Sequence, residues 1–194
     1  MSAREDILAR VSKNRPKGEY PAPAVPRFPL NQPDGLVKAF SKGLAALGGR
    51  VVLPDATGDL SAWIHTEFKA KVICSAVSEI GGNRDLSQVR RPRDLADVDV
   101  AVVRAILGVA ETGSVLFSET ELRVNTLAYL AQHLVVLLSP SAIVKGVQDA
   151  YEHSAFRTAR YAVFHTGPSA TGDIEGVLVH GAQGVRSLSV ILRD

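Results

Sequence analysis

Apolar residues recur along this chain at two spacings, and the exchange between them sets out the elements. Ser2 and Glu5 stand three apart ahead of Ile7, Leu8 and Val11, a capping box followed by a short stripe. It predicts an N-terminal helix of about a dozen residues. Val37, Phe40, Leu44 and Leu47 form the next stripe, with Gly48-Gly49 as its stop, and Arg50–Leu53 then reads as a strand. Leu60, Trp63, Ile64 and Phe68 mark another helix, followed by strands at Lys71–Cys74 and Val98–Val103. Ser114–Phe117 lies close behind another apolar run, which predicts an antiparallel pair. Val124, Leu127, Ala128 and Ala131 share a helical face, and His133–Leu138 is the most continuous buried strand. Ser139-Pro140 opens a predicted helix with Ile143, Val144 and Val147 inward. Ala162–Phe164, Val177–Val179 and Leu188–Leu192 supply late strands. Short apolar runs alternating with helical stripes indicate a parallel or mixed sheet covered by helices. No internal repeat is present.

Prolines divide the chain in two. Pro16, Pro21, Pro23, Pro26 and Pro29 forbid both helix and central strand, so residues 15–32 read as an extended arm. The organisation expected is an N-terminal helix and Pro-rich arm over 1–32, then one α/β domain over 33–194. The arm either tethers its helix loosely or lays it on a partner, which makes it a candidate homo-oligomerisation device.

Composition narrows the function. A formal net charge of +2 favours neither a dedicated nucleic-acid binder nor an acidic protein. Arg90, Arg91 and Arg93 around Pro92 read as a solvated turn. Cys74 is the single cysteine. It can neither close an intrachain disulfide nor by itself hold an iron–sulfur cluster, and its apolar flanks make it a packing residue. No apolar run reaches the ~18 residues of a spanning helix, and Arg4, Glu5 and Asp6 leave no signal-peptide core. A cytoplasmic protein is expected. His65, His133, His153, His165 and His180 lack the spacing of metal ligands, so no metal is expected, although His165 and His180 bracket a segment on which they could converge. There is no P-loop, dinucleotide fingerprint or Gly-x-Ser-x-Gly elbow.

Chemistry gathers in three glycine-containing segments. The first is Ala110-Glu111-Thr112-Gly113-Ser114. Glu111, a carboxylate among apolar residues, is either a base, nucleophile or ligand contact, or a surface residue at a hairpin. The second runs from Thr166 to Glu175. Gly167 and Gly172 allow close backbone approach, Ser169 and Thr171 offer hydroxyls, and free amides there could receive a carboxylate or phosphate. Asp173 and Glu175 would face one side of an extended backbone; the plainer alternative is a capped turn. If Ala162–Phe164 is a parallel strand, this segment lies beyond its carboxyl end, where open α/β sheets bind ligands. The third is His180–Ser187, with Gly181 and Gly184. A single centre requires Glu111 to share a cavity with the groups near residue 170.

The runs "AETGSVLF" and "HTGPSATGDIEGVLVHGAQGVRSLSVIL" resemble the two signature blocks of the LUD (lactate-utilisation) domain family, in the same order, with the strand Leu134–Leu138 between them. The similarity is good over about residues 95–194 and holds only in outline before. It implies a three-layer α/β/α fold with a mixed, mainly parallel sheet, of the ribose-phosphate isomerase and CoA-transferase type. It also implies a role in bacterial oxidation of L-lactate to pyruvate beside two partners that carry iron–sulfur clusters, this chain being the small iron-free component. The matching positions are Glu111, Thr112 and Gly113; Gly167, Pro168, Ser169, Thr171, Asp173, Ile174 and Glu175; and Gly181 and Gly184. Glu111, Asp173 and Glu175 are the catalytic candidates, and the glycines and hydroxyls the ligand-binding ones. Gln183 stands where the family usually has His, and Val185 where it has Pro. Two other functions fit the residues: a stand-alone enzyme of this fold acting on a phosphorylated, CoA-linked or folate-type molecule, and a regulatory or assembly protein with a degenerate pocket.

Overall fold

The computed structural model describes residues 2–53, 58–172 and 176–194, leaving aside the side chain of His180. Its centre is a five-stranded, all-parallel sheet in the order β1-β11-β6-β3-β2. These strands are β1 Arg50–Val52, β2 Ile73–Ser75, β3 Val100–Arg104, β6 His133–Leu138 and β11 Ser187–Leu192. Buried on both faces, they read as continuous apolar runs. Alternation still decides which side chain faces which layer. Ala101, Val103, Leu134, Val136 and Leu138 join one core cluster, and Val100, Val102, Val135 and Leu137 the other.

The second cluster lies under α3 (Leu60–Phe68), whose Leu60 and Ile64 cover that face. Asp59 caps this helix by accepting from the amides of Ser61 and Ala62. The first cluster is closed by α2 (Leu36–Ala46) and by a four-stranded mixed sheet, β7-β4-β5-β8, made of β4 Leu107–Val109, β5 Ser114–Ser118, β7 Ile143–Val144 and β8 Ala162–His165. A two-stranded ribbon pairs β9 Ala170–Thr171 with β10 Val179–His180.

Most expected elements form, including α1 (Ala3–Asn14) with both halves of its Ser2–Glu5 capping box. Four expectations change. The stripe from Val124 to Ala131 yields one turn of helix, α5 (Leu127–Leu130), because the backbone reverses at Arg123 after the single-turn α4 (Glu119–Leu122). After Ser139 the chain makes a 3-10 turn (Pro140–Ala142). Ile143 and Val144 then pair with Gly108 and Val109, and helix starts only at α6 (Val147–Tyr151). Their β-branched side chains suit the sheet edge better than a helix interior. Val177 and Leu178 are exposed and outside any strand, since β10 finds only β9 to pair with. In α2 the buried residues are Phe40 and Leu44, while Val37 and Leu47 at its two ends face outward. A last turn, α7 (Ala155–Thr158), precedes β8.

Part of the arm lies on the domain itself. Gln148 donates to the Pro26 carbonyl (3.0 Å), Gln32 to the Lys145 carbonyl (3.2 Å), and Arg27 pairs with Asp149 and Glu152. Helix α1 buries no residue. Among the described residues no helix is long and apolar enough to cross a membrane.

Candidate functional site

The first glycine segment is the hairpin between β4 and β5. Gly113 turns it at φ 71°, donating to the Val109 carbonyl at 2.8 Å. Helix α2 sits directly on this turn. A Cβ at Gly113 would lie 2.0 Å from the Leu44 nitrogen, and one at Gly43 would lie 2.8 Å from the Gly113 nitrogen. The C-terminal end of the same helix rests on the second segment. Gly167, at φ 107°, would carry a Cβ 2.3 Å from the Leu47 carbonyl oxygen. One helix therefore holds two signature glycines through contacts that only glycine permits.

Beneath it the segments join chemically. The Thr112, Ser114 and Thr166 hydroxyls form a chain with two O···O distances of 2.6 Å. Ser114 is almost fully buried, so this chain satisfies polar groups that would otherwise be costly there. The second and third segments meet through the backbone: Ser169 donates to the Val185 carbonyl (2.9 Å) and Gly181 to the Ser169 carbonyl (2.8 Å). A Cβ at Gly184 would lie 3.1 Å from that of Ser169. Thr171 pairs with Val179 in the ribbon.

A cavity of about 280 Å³ opens where these segments meet. Gly167, Ser169, Gln183 and Gly184 line it together with Tyr129 and His165. Burial pushes His165 down to about 4, so its ring is neutral at neutral pH. Its Nε2 is buried with no hydrogen-bond partner among the described residues, and the ring packs against Phe117 and Tyr129 at centroid distances of 5.5 and 5.0 Å. The Tyr129 hydroxyl is bonded to that of Tyr161, and burial first, then this bond, pushes its phenol up. Tyr129 gave no motif, being one aromatic residue in a short apolar stripe. His165 carried one usable signal, its place between a strand and Thr-Gly-Pro.

Glu111 lies elsewhere. Its Oε2 accepts from the Val147 amide (3.0 Å) at the start of α6, and its own amide donates to the Lys145 carbonyl (3.1 Å). It lines a cavity of about 300 Å³ under Arg27–Leu30 and another of about 880 Å³ beside Lys38 and Lys42 of α2. The cavity at Ser169 does not include it. Thr112 and Gly113 thus reach the second segment through the hydroxyl chain and α2, while the neighbouring carboxylate turns toward α6. Asp173, Ile174 and Glu175 lie outside the described residues.

The expected position of the second segment also changes. Strand β8 runs antiparallel to β5, so the segment does not project from the carboxyl end of a parallel strand. Its contact with Val185, two residues before β11, places it at the amino ends of β6 and β11.

Of the remaining histidines, His133 bonds Ser187 through Nδ1 (2.8 Å), and burial lowers it, helped by Arg186. Among the described residues no three His, Cys, Asp or Glu side chains are placed to hold a metal ion.

A family model described as the LUD domain matches residues 68–192, which include all three glycine segments. Lactate utilization protein C of Geobacillus thermodenitrificans (strain NG80-2) is 30% identical over 175 residues, covering 82% of this chain and 69% of that protein. The crystal structure of a DUF162 family protein from Deinococcus radiodurans superposes with a TM-score of 0.61 at 16% identity, covering 84% of this chain and 99% of the other. That likeness shows a shared mixed α/β fold with a mainly parallel sheet, consistent with three α/β/α layers.

Proposed function

Because this chain belongs to the LUD domain family, we propose that it is a non-redox component of an L-lactate utilisation system and acts beside iron–sulfur partners that carry the electrons. The observation that carries this reading is the 30% identity to lactate utilization protein C across 82% of the chain. Chemistry agrees with it. Oxidation of a hydroxyl to a ketone releases two electrons, and one buried cysteine cannot supply the four thiolates a cluster usually needs. Cluster-borne electron transfer then belongs to other chains, and in this reading the present one contributes binding or positioning. The open space between Ser169 and Gln183 favours a liganded role over a pocket filled by its own side chains.

The test is genetic and biochemical. A strain lacking this gene should lose growth on L-lactate as sole carbon source while growing normally on pyruvate. The tagged full chain should co-purify with proteins showing iron–sulfur absorbance. Normal growth of the deletion strain on L-lactate would refute the reading.

A further inference from the structure

Ligands of open parallel sheets bind beyond the carboxyl ends of the strands. In this molecule those ends are not where the signature glycines lie. Beyond β2 and β3 there is instead a crevice of about 370 Å³, lined by Ser78, Glu79, Arg104, Thr120, Glu121 and Arg123. None of these residues forms part of the glycine segments.

Arg123 is the unusual member. Its backbone adopts φ 58° and ψ −44°, and the Val124 amide donates across it to the Leu122 carbonyl at 2.6 Å. That is a γ-turn of the rare, strained kind, with a bulky residue at its centre. Strain of this sort persists only where the surroundings enforce it, and it collects at functional sites. The other charged groups around it already have hydrogen-bonding partners. Arg104 pairs with Glu79 and also donates to the Arg193 carbonyl, while Glu121 accepts from the amide (2.9 Å) and hydroxyl (2.6 Å) of Ser118. The Arg123 guanidinium has no hydrogen-bond or ion-pair partner among the described residues, so its N–H donors are the ones this crevice leaves unused.

We propose that this crevice binds a small 2-hydroxy carboxylate, its carboxylate on the Arg123 guanidinium and its hydroxyl donating to Glu79. The class of ligand rests on the lactate reading above; the anion site rests on the geometry alone. A planar guanidinium suits a carboxylate through two parallel N–H···O bonds. Glu79, held by Arg104 and by the Ser78 hydroxyl (3.2 Å), is a fixed acceptor for the second group. Arg123 and Glu79 are binding residues here, with no bond made or broken.

The full-length protein is titrated with L-lactate, acetate and inorganic phosphate while its backbone amide resonances are followed. L-Lactate should shift residues 76–79, 104 and 120–124, and acetate, lacking the hydroxyl, should bind several-fold more weakly. Arg123→Gly should weaken L-lactate by about tenfold or more, the loss of a charge-assisted bidentate pair. The same variant should raise the melting temperature, because glycine accepts this backbone without strain. Glu79→Gln should bring L-lactate down toward acetate. Opposite signs for binding and stability at Arg123 would not arise from a merely structural role. Shifts centred on Ser169 instead, or unchanged binding by Arg123→Gly, would overturn the site. Phosphate binding as tightly as L-lactate would overturn the ligand class. A deletion strain that grows on lactate although the crevice binds it would sink the functional reading and leave the site standing. A strain that needs the gene, yet is fully restored by Arg123→Gly, would do the reverse.

Discussion

Protonating His165 would place a charge against the rings of Phe117 and Tyr129, away from water, and the fold resists it. The ring's pKa moves from 6.5 to about 4 by burial alone. Between those values the unfolded chain binds the proton that the folded one refuses, so stability rises with pH across this window. The contribution is complete above 6.5 and is lost as the solution is acidified toward 4. At ~1.4 kcal/mol per unit the loss is at most about 3.5 kcal/mol. Urea midpoints measured at several pH values should therefore fall between pH 6.5 and 4, and fall much less in His165→Phe. His133, also lowered by burial, remains in both proteins and cancels from the comparison. Parallel curves for the two would show that His165 is not the titrating group. Cys74 gives a second prediction. Fully buried, with its thiol pushed up to about 11 by burial, it offers almost no thiolate near neutrality. Alkylation at pH 8 should be negligible in native protein and rapid in 6 M guanidinium; prompt native labelling would contradict the burial. The sequence marked Cys74 as packing from its apolar flanks, whereas the depth of His165 depends on rings from β5 and α5 that no local pattern connects to it.

At the level of elements, helix α2 and the β4–β5 hairpin are joined by the absence of side chains. Gly113→Ala combines a positive φ with a Cβ overlapping backbone atoms of Gly43 and Leu44, and a helix backbone cannot yield as a flexible side chain can. Backbone strain and overpacking together should cost about 2–4 kcal/mol by urea denaturation. Gly81→Ala, where φ is ordinary and nothing lies within 4 Å, should change stability by less than about 0.5 kcal/mol. Equal effects of the two substitutions would refute this account of the glycine. The sequence announced such glycines as segments that plain connections would not need, but it could not reveal what approaches them. The same boundary runs through the fold. The parallel strands were legible because burial on both faces makes them unbroken apolar runs, as in His133–Leu138. Ile143 and Val144 were not, because an apolar pair beside Ser-Pro looks helical until a partner strand at Gly108–Val109 is present. Strand β8 could be located but not oriented. Its antiparallel pairing with β5 moved the second glycine segment to the opposite end of the central sheet from the one first expected.

For the molecule as a whole, the question is what the first thirty or so residues contribute. Every described residue before Leu30 is exposed, and the buried core starts at Phe40. Helix α1 presents Ile7, Leu8 and Val11 at 61, 51 and 62% exposure, a stripe that packs on no other part of the chain among the described residues. What ties the arm down is polar and accessible: Arg27 with Asp149 and Glu152, and the Gln148 bond to Pro26. Exposed ion pairs of this kind are worth ~0–1 kcal/mol, and unpacked chain removes little apolar surface from water. A chain that begins at residue 25 should therefore unfold within about 1 kcal/mol of the full one and with the same urea dependence, since the surface exposed on unfolding barely changes. Losing Arg27 as well, by starting at residue 30, should cost at most about 1 kcal/mol more. If α1 serves to engage another chain, truncation separates the two properties: the melting curve stays and co-purification of partners is lost. A truncated protein that precipitates, or whose denaturation slope drops, would show instead that these residues pack against the domain.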